Sequence, residues 1–300
     1  MAEILRTYSE FSGTDQKGGS IREDLQDFVA NLSPQDTPLL SGLTQVQVNA
    51  GLVEWLEDSL APSGHNANIE ALAFTNTGIT APVRRAALVQ HFYKGGTVSD
   101  RERLVAHAGT GDPMLYYEMK ALKELKNDIE HALHRGSAVS GTVSTAPQFA
   151  GLLNVLTVTN ASGITLTETH FNDLLQVMYN AGDVQPAEVY CGPTLKRRIS
   201  SFTSRNTVQI AATDRRMINS TAVYESDFGV SWLLISRNQI DSPGVRSLVV
   251  IDPRYFLTGW LKNVTREQLP RDGTRDRFQL SAELTLIYKS SSAGIGIRCE

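Results

Sequence analysis

Apolar residues recur at three- and four-residue steps along DPMLYYEMKALKELKNDIEHALHRG (112–136), at Leu115, Met119, Leu122, Leu125, Ile129 and Leu133. That spacing predicts an amphipathic helix with one apolar stripe, a rod of roughly 35 Å at 1.5 Å per residue. Asp112 is placed to cap the first amides, Pro113 suits the first helical position, and Gly136 is a natural stop. Glu118, Lys120, Lys123, Glu124, Lys126, Asp128 and Glu130 fall on the other side and predict a solvated back. A half-buried rod of this length needs a sheet or another subunit beneath it.

The rest of the pattern is made of shorter pieces. Residues 1–19 are polar and rich in Gly, Ser and Thr, and read as an extended arm held by another chain. Ser20 and Glu23 form a capping box ahead of a short helix whose apolar face is Ile21, Leu25, Phe28, Val29 and Leu32; Ser33-Pro34 and Thr37-Pro38 end it. From Thr44 to Asp100 the pattern changes to alternation and turns. VQVNAGLVEWLED and the return through Arg84, Arg85, Leu88, Gln90, Phe92, Lys94 and Val98 flank a weakly hydrophobic tip, with the return expected to stop at Gly95-Gly96. Two such runs predict a long projecting hairpin that lies on something else. After the rod and a polar link (136–151) comes a compact α/β insert. It holds a helix capped by Thr167, a strand at 187–192, a helix opened by Pro193, a polar loop at 204–220, and strands at 222–224, 230–235 and 247–251. The last fifty residues predict two strands, 255–264 and 277–289, joined by the charged tip PRDGTRDR. The fold class is α+β, a discontinuous domain carrying a second one.

Composition narrows the function. A 41% hydrophobic content over 300 residues is ample for a core, while a net charge of −4 argues against a protein whose main task is gripping nucleic acid by its phosphates. No window reads as a signal peptide or a membrane helix, and two cysteines are too few for a disulfide framework or a cysteine zinc site. Synthesis in a reducing cytosol fits. His131 and His134 stand beside Glu130 without a third ligand of matching spacing, and read as a solvated helix C-terminus. Cys191 lies among apolar neighbours as an inert core thiol, and Asp227-Phe228-Gly229 lacks the loops of a kinase. Gly109 and Gly111 lack the lysine of a nucleotide loop. Lys196-Arg197-Arg198 and Arg215-Arg216 read as solvated surface or intersubunit ion pairs. No catalytic, cofactor or metal residue is assigned.

The run IREDLQDFVANLSPQDTPLL (21–40) resembles the N-terminal signature of tailed-bacteriophage major head proteins similar to the SU-ten phage head protein. The resemblance continues in order through HFYKGGTVSD, the long helix, AEVYCGP, VYESDFG, VIDPRYF and TREQLPRDGTRDRFQLSAELTL. It implies a Hong Kong 97-like capsid fold. The parts would be an N-terminal arm (1–44), an extended loop (45–100), a peripheral domain (101–163) with a spine helix at 112–136, an axial domain (164–251) and peripheral strands (252–300). The implied protein is a major capsid subunit, not an enzyme, whose copies form hexamers and pentamers of an icosahedral head around double-stranded DNA. Some relatives of the fold carry a scaffolding segment that a protease removes, whereas here the arm begins within twenty residues of Met1, so no cleaved propeptide is expected; no residue matches the covalent Lys–Asn cross-link of one branch, so a non-covalent shell is expected. Expected partners are a separate scaffolding protein, a portal, a decoration protein and weakly held DNA, with no membrane. A tail-tube or decoration subunit, or a cytosolic α/β enzyme, is the alternative.

In such a shell the interfaces are the working sites. The extended loop, through Trp55 and Arg84-Arg85, is expected to lie over a neighbour's spine helix and meet acids such as Glu118 and Glu124. Ile21, Leu25 and Phe28 should pack on an adjacent subunit. Arg205, Arg215 and Arg216 should approach the capsomer axis. Arg271, Asp272, Arg275 and Asp276 carry both signs, as a self-complementary contact at a local threefold needs.

Overall fold

The computed structural model describes residues 36–61, 64, 65, 67, 70, 81–105, 112–160, 164–202 and 222–300. The expected N-terminal helix with Ile21, Leu25 and Phe28, and the loop with Arg205, Arg215 and Arg216, lie outside these residues.

Two sheets and one long helix organise the chain. The helix, Pro113–Arg135, is numbered α3 after α1 (Pro38–Gly42) and α2 (Asp100–Leu104). Asp112 Oδ1 accepts from the Met114 amide at 2.9 Å and the Gly136 amide donates to the Ala132 carbonyl, so both ends are closed as the caps predict. Asn154 adds a donor to the Gly136 carbonyl at 2.6 Å. The stripe that is buried differs from the predicted one. Met114, Ala121, Leu125, Ile129 and Leu133 face inward, whereas Leu115 and Met119 are 59% and 52% exposed. The sequence carries two adjacent apolar stripes about 100° apart, and the sheet takes the one holding the small Ala121.

Beneath α3 lies a four-stranded sheet in the order β1-β11-β12-β4, built from Thr44–Gln47, Phe256–Asp272, Arg275–Tyr288 and Gln90–Ser99. In β12 Phe278, Leu280, Ala282, Leu284 and Leu286 are buried at every second position, the period of a strand with one face on the core. Gly95-Gly96 does not stop β4, which pairs with β12 through to Ser99. A Cβ at Gly96 would fall 2.6 Å from the Phe278 ring, so the glycine serves close packing and not a turn. Both ends of the 45–100 segment are therefore sheet strands, and only the hairpin β2 (Leu52–Glu57) with β3 (Val83–Leu88) stands off as a separate two-stranded sheet. The charged tip is likewise shorter than expected. β11 and β12 pair as far as Asp272↔Arg275, through register shifts after Trp260, Lys262 and Leu269, and the turn rests on Gly273 at φ 62°.

The second sheet has seven strands, in the order β5-β13-β10-β6-β8-β7 with β9 beside β10. They are β5 (Thr157–Asn160), β6 (Glu188–Cys191), β7 (Val223–Ser226), β8 (Gly229–Ile235), β9 (Asp241–Ser242), β10 (Val245–Ile251) and β13 (Gly294–Cys299). A short helix α4 (Leu152–Val155) leads from α3 into β5, α5 (Glu168–Asn180) packs on β13, and α6 (Pro193–Ser200) packs on β8 and β10. This corrects the expected boundaries: β5 falls in the range given to the peripheral domain and β13 in that given to peripheral strands, yet both build this sheet. Gly294 and Gly296 let β13 lie against Leu156 and Val158, where a Cβ would come within 3.0 and 3.1 Å, and a short glycine-rich strand leaves little hydrophobic pattern to read.

Candidate subunit interfaces and the joint behind them

The two sheets meet at a sealed polar joint on the last turn of α3. Glu130 and His134 are both 0% exposed. One Glu130 oxygen accepts from the Leu39 amide at 3.0 Å and the other from the Leu40 amide at 2.8 Å, so this side chain caps the N-terminus of α1 from 90 residues away. Glu130 Oε1 also lies 3.2 Å from His134 Nε2, which is 2.9 Å from Ser236 Oγ. His134 Nδ1 is 3.0 Å from Gln239 Nε2, Gln239 Oε1 accepts from Ser247 Oγ at 2.6 Å, and Ser247 Oγ accepts from the Ile240 amide at 2.9 Å. The chain of donors and acceptors closes with His134 donating from Nε2 and accepting at Nδ1. Arg135 reaches the Gln239 carbonyl beside it. One carboxyl and one imidazole thus tie α1, α3 and the seven-stranded sheet into one body. His134 is not the solvated helix end that the sequence suggests, and Glu130 is not on the polar back.

The hairpin β2–β3 is pinned through Trp55 and Glu57, toward the end of its ladder away from β1 and β4. Trp55 meets Tyr288 of β12 edge to face, with ring centroids 5.0 Å apart. Glu57 Oε2 accepts from Arg85 Nε at 2.7 Å, and Glu57 Oε1 from the Ser291 amide at 3.2 Å. Burial pushes the Glu57 carboxyl up, but the bonds from Arg85, Ser290 and Ser291 outweigh it and hold the group below its ordinary value. Arg84 pairs with Glu54 at 3.5 Å across the same hairpin. Leu52 and Leu56, on one face, are 46% and 66% exposed, and Val83, on the other, is 52% exposed. On α3, Glu118 accepts from Arg266 at 2.6 Å while Glu124 is exposed. Arg84, Arg85 and Glu118 thus all hold partners within their own chain.

At the β11–β12 tip the four expected residues divide. Asp276 is buried and shared by Arg103 at 2.6 Å and Arg271 at 2.8 Å, with Asp100 also on Arg271. It is not available to a neighbour. Asp272 and Arg275 remain exposed beside the turn. Nothing in these surfaces resembles a catalytic centre. Burial pushes the Cys191 thiol up to about 12, and among the described residues no group of three His, Cys, Asp or Glu side chains could hold a metal ion. Nor is any described helix long and apolar enough to cross a membrane.

Residues 7–298 match the family model of the SU10 major capsid protein. The chain belongs to that family. The major capsid protein of Escherichia phage Phieco32 is 31% identical over 129 residues, which cover 43% of this chain and 36% of that protein. The match therefore spans about a third of that relative's length. The capsid of a native GTA particle superposes with a TM-score of 0.72 at 12% identity, covering 96% of this chain and 98% of that one. The capsid of Myoviridae phage XM1 gives 0.64 at 14% identity, over 95% and 100%. The fold is thus the Hong Kong 97-like capsid fold, and as a family member the chain is a structural capsid protein of the virion, not an enzyme. For a capsid protein the buried joint is the feature that sequence reading misses. The available signal is the spacing: Glu130 and His134 are one helical turn apart and sit beside Ile129 and Leu133 on the apolar stripe.

Proposed function

We propose that this capsid protein assembles into hexamers and pentamers that close an icosahedral, non-covalent head around double-stranded DNA. The observation that carries the reading is the β2–β3 hairpin, a separate two-stranded ribbon with exposed Leu52, Leu56 and Val83, held to its own chain among the described residues through Trp55 and Glu57. A two-stranded ribbon with exposed apolar side chains gains stability by lying on another subunit. We assign its resting place to a neighbour's α3, where Leu115, Met119 and Glu124 are exposed. The exposed apolar side chains meet there, and Arg84 and Arg85 come close to the acids of that helix. The four-stranded sheet with α3 is the peripheral body and the seven-stranded sheet the axial one.

The segment with Ile21, Leu25 and Phe28 packs on an adjacent copy. The loop with Arg205, Arg215 and Arg216 faces the capsomer axis, and Asp272 with Arg275 meets its symmetry mates at a local threefold. Each contact is weak and the closed shell is not, because linked sites act at high effective concentration. The subunit is made in the host bacterial cytoplasm. A separate scaffolding protein directs its closure, a portal occupies one vertex, and a decoration protein can bind outside. A net charge of −4 keeps contact with the packaged genome weak.

Negative-stain electron microscopy of the chain, alone and co-expressed with neighbouring reading frames, tests this. Closed shells or rosettes of five and six subunits are the expected result. A uniform population of monomers or dimers under both conditions would refute it.

A further inference from the structure

The four-stranded sheet leaves one long edge open. β4 is its outermost strand and pairs on one side only, with β12, in unbroken register from Gln90 to Ser99. The Asp100 amide donates to the Thr274 carbonyl at 2.9 Å, which fixes the parity of that ladder. Even-numbered residues of β4 bond to β12, so the amides and carbonyls of His91, Tyr93, Gly95 and Thr97 point outward. Among the described residues no backbone bond reaches them. The devices that usually close such an edge are missing from it. β4 has no proline and no bulge, and its lysine, Lys94, lies on the α3 face, tied to Asp128 at 2.8 Å.

The spacing of this edge suits a second copy of itself. An antiparallel pairing about a twofold axis at Gly95 sets glycine against glycine at the axis, where identical side chains would otherwise collide. It also sets Tyr93, 67% exposed, beside the Thr97 of the other chain, an aromatic ring on a β-branched residue. None of the four outward positions carries a carboxylate, lysine or arginine to be repelled by its own copy, and His91, bonded to Glu283 at 3.2 Å, would face Ser99. Tyr117, Lys120, Ala121 and Glu124 of α3 line a cleft with Gly95, Gly96 and Thr97, on the flank of the helix away from Leu115 and Met119. The same axis therefore turns α3 antiparallel to its copy, with Lys120 of each level with Glu124 of the other.

Resting on the capsid reading, we propose that β4 pairs edge to edge with β4 of a second copy, antiparallel and about a twofold axis, so that two four-stranded sheets become one continuous sheet. The contact is reciprocal and ends at two copies, unlike a head-to-tail contact, which repeats.

The test is cross-linking in assembled shells of the double variant Tyr93→Cys with Thr97→Cys. Paired residues in such a ladder stand about 5.5 Å apart at Cα, within reach of a disulfide. Within one chain the two positions are about 13 Å apart along the strand and cannot join. Cys191 and Cys299 are buried and do not compete. After oxidation with diamide, a non-reducing gel should show most of the chain as dimer and no higher multiples. A ladder of larger multiples, or monomer from intact shells, overturns the pairing. If the double variant gives no shells, Thr97→Pro takes its place. The amide it removes is one that no backbone bond in the subunit uses, so circular dichroism should show a folded chain while shell yield by sedimentation falls about tenfold. Unchanged yield from that variant overturns the pairing. If the unsubstituted chain forms no shells, the capsid reading itself fails and takes this pairing with it.

Discussion

Glu130 and Glu57 do the same thing in two different settings. Each uses both carboxyl oxygens to accept from protein donors, a backbone amide among them, and each ties down a segment that would otherwise swing. Glu130 is sealed between α1, α3 and the seven-stranded sheet, whereas the Glu57 side chain keeps 16% of its surface open at the edge of a projecting ribbon. A sealed acceptor has no water to fall back on, so its bonds stand or fall with the fold. An acceptor at the edge trades protein donors for solvent at small cost. The difference separates a joint that must not move from a hinge that must, which is what a shell needs when a rigid body has to carry an adjustable strap.

The most damaging way to break this contrast is Glu130→Ala. It strips the acceptor from two buried amides and from His134, and should lower unfolding free energy by about 3–5 kcal/mol in urea titration. A loss below about 1 kcal/mol would mean that water enters the joint and that it is not sealed. Gly96→Val comes next, since the added carbons meet the Phe278 ring, at a cost of about 1–3 kcal/mol by the same measurement.

Glu57→Gln should act locally. Amide exchange should speed up in Leu52–Glu57 and Val83–Leu88 while the global melting point holds, and a matching fall in the melting point would erase the distinction. Acid should reproduce it. Because the folded carboxyl titrates below its ordinary value of 4.5, its contribution is fully present above that pH and is lost as pH falls through the lower folded value. Ribbon protection should therefore decline below about pH 4.5 in the native protein and show no such decline in Glu57→Gln. The smallest effect belongs to Glu267→Ala at the exposed Lys262–Glu267 pair, where no change in melting point is expected.

Much of the scaffold was legible because local chemistry and global fold agree there. The caps of α3 and the Thr167 cap of α5 rest on a few adjacent residues, and tertiary contacts do not alter them. The errors come where packing chose between options that the sequence left equal. Two apolar stripes on α3 differ by one residue, and only the sheet decides that Ala121 goes in and Met119 stays out. Gly95-Gly96 reads as a break until Phe278 is laid across it. Glu130 and His134 read as solvated because polar residues usually are, and their partners Leu39, Ser236 and Gln239 lie far off in the chain. At the interfaces the charged residues were easy to find and their partners were not. Asp276 is spent on Arg103 and Arg271, which no spacing rule announces.

The strand order of the larger sheet carries a consequence in time. β13 comes last in the chain, yet it lies between β5 and β10 and pairs with both. Until residues 294–299 have been made this sheet lacks the lane next to its edge, with β5 cut off from β10. The seven-stranded sheet cannot close until that strand has been made.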